Sequence, residues 1–167
     1  MAKNRVSSTL AAGLVAGISG SLVGLIVSNT ASGSGYELFP LYAALAAFLS
    51  AALFWWLLLG RKNNYTIVRG VFAGGLASIV SHYLCWYLLI LAQNLCYWVW
   101  KSCTSSLGEP PADPILGLLG AAGLSFFSLI FYWWLTVIPG ILIAVVLSIW
   151  YRRGEKNSEV KISEVSS

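Results

Sequence analysis

Apolar residues in this chain gather into long blocks, and charged residues mark where the blocks end. Three blocks cover about residues 10–28, 38–59 and 67–92, and a fourth stretch from Ile115 to Tyr151 carries no charge at all. A helix needs about 20 such residues to cross roughly 30 Å of hydrocarbon. The pattern therefore predicts an all-α, polytopic integral membrane protein, a four-helix transmembrane bundle. The fourth span is placed at about 125–150. The surplus from about Ile115 to Leu124 becomes either a small-residue segment at the outer face or the start of a tilted helix. Pro139-Gly140 is expected to kink whatever helix carries it.

The charges orient the bundle. Lys3 and Arg5 precede the first block, Arg61, Lys62 and Arg69 separate the second from the third, and Arg152, Arg153 and Lys156 follow the last. Glu37, Glu109 and Asp113 fall in the other loops, where Lys101 is the one basic residue. Positive charge on short loops stays in the cytoplasm. Four crossings satisfy that rule with both termini inside, whereas five would strand Arg152 and Arg153 outside. The expected organisation is a cytoplasmic N-terminus at 1–8, a transmembrane domain at 9–151 and a disordered cytoplasmic tail at 152–167, in a bacterial-type plasma (inner) membrane. A signal peptide ending near Ala31 competes for the first block, but that block is long and rich in glycine, which favours a retained helix.

Composition agrees. The chain is 58% apolar and only 10% charged, too little polar surface to cover a globule in water. The pI near 9.1 reflects loop charges and not a basic patch, so nucleic acid is not expected as a partner. The expected partners are the lipid bilayer and either further copies of the chain or a larger membrane complex.

Small residues form the next pattern. Gly13, Gly17, Gly20 and Gly24 step by four, three and four residues, which places them on one helical face. Gly70, Gly74, Ser78 and Ser81 repeat the device in the third block, with Ser125 and Ser128 in the fourth. Such stripes let helices approach closely where lipid offers no hydrophobic reason to associate. The stretch from Thr9 to Val23 also aligns with Thr66 to Val80, and Phe48–Leu57 echoes Phe126–Leu135. Two echoes in the same order suggest two parallel copies of one helical hairpin.

One ionisable residue lies within a block, His82, and such residues are functional candidates by default. Ser78, Ser81 and Tyr83 are its sequence neighbours in the expected intramembrane polar site. A proton relay would need an acid in the membrane, haem would need a second axial ligand, and zinc would need neighbours; the sequence offers none of these. The plainer expectation is a neutral ring bonded to a Ser, a Tyr or a backbone carbonyl on a facing helix. Cys96 and Cys103 lie near one another at the outer end of the third block and could pair. With no catalytic set, no metal-ligand cluster and no cofactor motif, the sequence favours a small non-enzymatic accessory or assembly subunit. A transporter or channel subunit with a path lined by His82 is the alternative.

Overall fold

The computed structural model describes residues 2–31, 36–62, 64–102 and 110–165. These residues are helical apart from short connections: α1 (Ala2–Thr30), α2 (Phe39–Leu58), α3 (Ile67–Trp100) and α4 (Pro114–Val165), with a 3-10 turn at Gly60–Lys62. No strand occurs among them. Four helices are long and apolar enough to cross a membrane. Consecutive helices run antiparallel, so Arg5, Arg61, Arg69 and Arg152 share one end of the molecule, hereafter the basic end. Glu37 and Asp113 lie toward the other.

The helix boundaries follow from local chemistry. Pro40 occupies the first turn of α2, where a missing N–H costs nothing because that donor would be orphaned anyway. Asp113 caps α4: its Oδ1 accepts from the N–H groups of Ile115 at 2.7 Å and Leu116 at 3.4 Å. Pro114, with φ already helical, is the first residue inside. Residues 115–124 are thus the first turns of α4, continuous with the rest of that helix. The helix also passes through Pro139. It continues to Val165, where disorder was expected. Extending an existing helix needs no nucleation, and the stretch after Arg153 contains no proline to stop it.

α1 packs mainly on α2 and α3 mainly on α4, α2 and α3 join the two pairs, and α1 touches α4 least. The glycines explain the first two seams. A Cβ on Gly20 would lie 2.7 Å from the Ala43 carbonyl oxygen, and one on Gly24 would lie 2.6 Å from Pro40 Cα. On α3, a Cβ at Gly70 would sit 3.2 Å from the Ala144 carbonyl, and one at Gly74 2.5 Å from that of Gly140. Only glycine lets the backbones approach this closely. All six glycines expected to pack helices do so within the chain.

The two seams also test the sequence echoes. Gly13 meets Phe48 and Ala52 and Gly17 meets Ala44, while Gly70 meets Ala144 and Ser148 and Gly74 meets Gly140. Positions 44, 48 and 52 therefore correspond in packing to 140, 144 and 148. The α1/α3 echo keeps equivalent places. The second echo does not, since it sets position 48 against 126, whereas the packing sets 48 against 144, about five turns further along α4. Its tryptophans differ too: Trp55 is 2% exposed and Trp133 is 52% exposed. That echo reflects shared aromatic composition and not shared register.

An aromatic group closes the basic end. Tyr65 stacks on Tyr151 with ring centres 5.5 Å apart, and Trp55 lies 6.2 and 6.1 Å from the two. The buried Ser8 hydroxyl reaches the Tyr65 hydroxyl at 3.3 Å, tying α1 to this group. Toward the other end, Phe39 packs on Trp86 at 5.6 Å.

Candidate functional site: an inter-helix cleft at His82

Between the two helix pairs runs a mostly apolar cleft in two adjoining sections. The section toward the basic end is lined by residues of all four helices, among them Ala16, Ala51, Trp55, Ala77 and Ile143. The other is lined by Val27, Phe39, His82, Trp86, Ser128 and Tyr132. Gly20, Val23, Ala47, Ser81 and Thr136 border both. α1 and α4 converge near the basic end, where Ala12 shares a core cluster with Ala144 and Leu147. Their few contacts leave the cleft weakly closed on that side.

His82 is the polar centre of the second section. Its Nδ1 lies 2.8 Å from the Ser128 hydroxyl and its Nε2 2.9 Å from the Thr136 hydroxyl, both on α4. Each hydroxyl also reaches back along its own helix, Ser128 to the Ser125 carbonyl at 3.0 Å and Thr136 to the Tyr132 carbonyl at 2.9 Å. Ser128 and Thr136 are two turns apart, about 12 Å of rise on a straight helix. One imidazole can span them only because α4 curves around it. The seam advances unevenly in the same sense. Between the Gly74–Gly140 and Gly117–Ile90 contacts, α3 advances roughly 16 residues and α4 roughly 23, or about 24 and 35 Å of rise. Pro139, which removes one backbone donor, and the hydroxyl-to-carbonyl bonds both favour bending there.

The expected neighbours divide. The Ser78 hydroxyl bonds the Gly74 carbonyl at 2.8 Å and reaches the Thr136 carbonyl at 3.3 Å, so it crosses to α4. Ser81 lines the cleft, but its hydroxyl bonds the Ser78 carbonyl at 2.7 Å. Tyr83 stacks on Tyr87 at 6.3 Å and is not among the cleft residues. Ser125 and Ser128, expected as packing residues, belong to the His82 network. Thr136 was missed altogether. A hydroxyl inside the fourth apolar block, in the turn before Pro139, was the signal that could have found it.

A further side-chain bond lies at the far end. Asn94 is buried, and its amide donates to the Ile90 carbonyl and to the Ala112 carbonyl, each at 2.9 Å. It fastens α3 to the residues that lead into α4. Cys96 is disulfide-bonded and Cys85 is free; Cys103, expected as the partner of Cys96, lies outside the described residues. No cluster of three or more His, Cys, Asp or Glu side chains able to hold a metal occurs among the described residues.

No protein-family model, no curated protein and no solved structure matches this chain. The functional reading therefore rests on its own geometry.

Proposed function

We propose that this chain is a non-enzymatic integral membrane protein, crossing the bilayer four times with both termini cytoplasmic, that serves as an accessory or assembly subunit. The observation that carries this reading is the mismatch of α4. Its apolar part, Pro114–Gly154, is 41 residues long, about 60 Å of helix against roughly 30 Å of hydrocarbon. With Arg152 and Arg153 held at the cytoplasmic surface, ordinary tilt cannot bring Ile115–Leu119 within the hydrocarbon. Yet Ile115 and Leu119 are 76% and 75% exposed. On α3 the exposed Leu95, Trp98, Val99 and Trp100 extend in the same direction. Apolar surface of this kind outside the hydrocarbon marks a contact site.

The small-residue stripes on α1 and α3 are consumed within the chain, so they no longer argue for a partner. Gly120 and Gly123 have no heavy atom within 4 Å of a built Cβ, which leaves α4 open to the close approach of another helix. We assign this projecting arm to a stoichiometric membrane partner with an apolar outer face. The matching seams of α1–α2 and α3–α4 further support a duplicated hairpin, with position 44 set opposite 140.

Affinity purification from the native membrane in mild detergent tests the assignment. The wild-type chain is expected to retain a stoichiometric partner, and Leu119→Lys to lose it while keeping its own melting temperature. A solitary chain, or a partner retained by Leu119→Lys, would overturn the reading. The alternative, a solute path lined by His82, draws on the cleft between the two helix pairs. It requires solute flux in liposomes that His82→Ala abolishes.

A further inference from the structure

The His82 network has four contacts, and each needs a hydrogen: the two ring nitrogens to Ser128 and Thr136, and the two hydroxyls to the Ser125 and Tyr132 carbonyls. A neutral imidazole brings one hydrogen and the two hydroxyls bring one each. Three hydrogens cannot fill four contacts at once. A cationic ring would fill them, but among the described residues no Asp, Glu, Lys or Arg lines the cleft to balance its charge. An unpaired buried charge is far costlier than one open contact. The other titratable side chains at the cleft are Cys85 of α3 and Tyr132 of α4; α1 and α2 present none there.

Two arrangements of the neutral ring are then available. With the hydrogen on Nδ1, His82 donates to Ser128, which keeps its bond to the Ser125 carbonyl. Thr136 must then turn from the Tyr132 carbonyl and donate to Nε2. With the hydrogen on Nε2 the roles reverse: Thr136 keeps its carbonyl bond and Ser128 turns to Nδ1. Neither arrangement strands a buried group, because a helical carbonyl released by a hydroxyl still accepts from the N–H four residues on.

We propose that His82, Ser128 and Thr136 form a two-position hydrogen-bond switch, in which the tautomer of the ring selects which turn of α4 keeps its hydroxyl-to-carbonyl bond. Such bonds bend helices, so the tautomer is coupled to the curvature of the α4 wall of the cleft. The switch goes beyond the accessory role and stands independently of the partner docked on the arm.

His82 is the only histidine in the chain, so histidine labelled with 15N reports on it alone. In the wild-type protein both ring nitrogens are expected at shifts intermediate between the protonated and unprotonated extremes, as two exchanging tautomers produce. Ser128→Ala is expected to fix the hydrogen on Nε2, and Thr136→Val to fix it on Nδ1, moving the two resonances apart in opposite senses. Ser128→Thr and Thr136→Ser keep a hydroxyl and are expected to restore the intermediate shifts. A wild-type ring fixed in one tautomer overturns the switch, whatever the variants do. A ring protonated on both nitrogens at neutral pH, or the same tautomer in both hydroxyl-deleted variants, overturns it equally.

Discussion

The α1–α2 and α3–α4 seams share one geometric device and differ in what they add to it. Both bring glycine against a facing backbone. Along α1–α2 the contacts at the glycines are carbon and carbonyl: Gly13 to Phe48, Gly20 to Ala43 and Ala47, Gly24 to Pro40. Along α3–α4 polar groups cross as well, from Ser78, from His82 and, beyond the helix, from Asn94. The apolar stretches of α1 and α2 are 26 and 24 residues long, near the length a span needs, whereas that of α4 runs to 41. Close packing alone can hold a hairpin of ordinary length. The longer pair adds hydrogen bonds between α3 and α4 at Ser78 and His82 and another from Asn94 just before α4 begins, beside the close glycine contacts Gly74–Gly140 and Gly117–Ile90.

The shared device is broken most forcefully by bulk. Gly20→Val and Gly74→Val each force a side chain into facing backbone that cannot yield, and each is expected to lose about 1–3 kcal/mol or more, seen as a lower melting temperature in detergent. Gly123→Val, where a Cβ meets nothing within 4 Å, should leave the melting temperature within error. If Gly20→Val matched that control, the α1–α2 seam would be looser than described.

The difference between the seams is sharpened by a smaller change. Asn94→Leu removes the two amide bonds from the end of α3 and is expected to cost about 1 kcal/mol. The loss should be local, with faster hydrogen exchange at the first turns of α4 and unchanged exchange in α1 and α2. Uniform loosening of all four helices would contradict a separate polar fastening.

Hydropathy made the number of helices legible, because each block is long and charge interrupts the blocks. It left residues 115–124 open between a surface segment and the first turns of a helix, since a window scores composition and cannot see a cap. Asp113-Pro114 was readable as one, being an N-cap followed by the residue favoured at the first helical position. The glycine stripes were legible as close-packing faces, but not as contacts within the chain, because spacing carries no information about the facing helix. His82 stood out as a lone ionisable residue in an apolar run, and a hydroxyl partner was foreseen as a type. Thr136 was hidden because its reach to His82 depends on the curvature of α4, which no periodicity encodes.

In the proposed arrangement the first turns of α4 stand outside the hydrocarbon while its later turns lie within it. Power-saturation EPR on the protein reconstituted in liposomes measures this, with a spin label at residue 119 or at residue 146. Counting from Arg152, position 146 is about 9 Å along the helix and position 119 about 50 Å. The label at 146 is expected to be relaxed mainly by oxygen, as in lipid, and the label at 119 mainly by a water-soluble nickel chelate. Equal oxygen-dominated relaxation at both positions would mean that the bilayer covers all of α4, and would contradict the account.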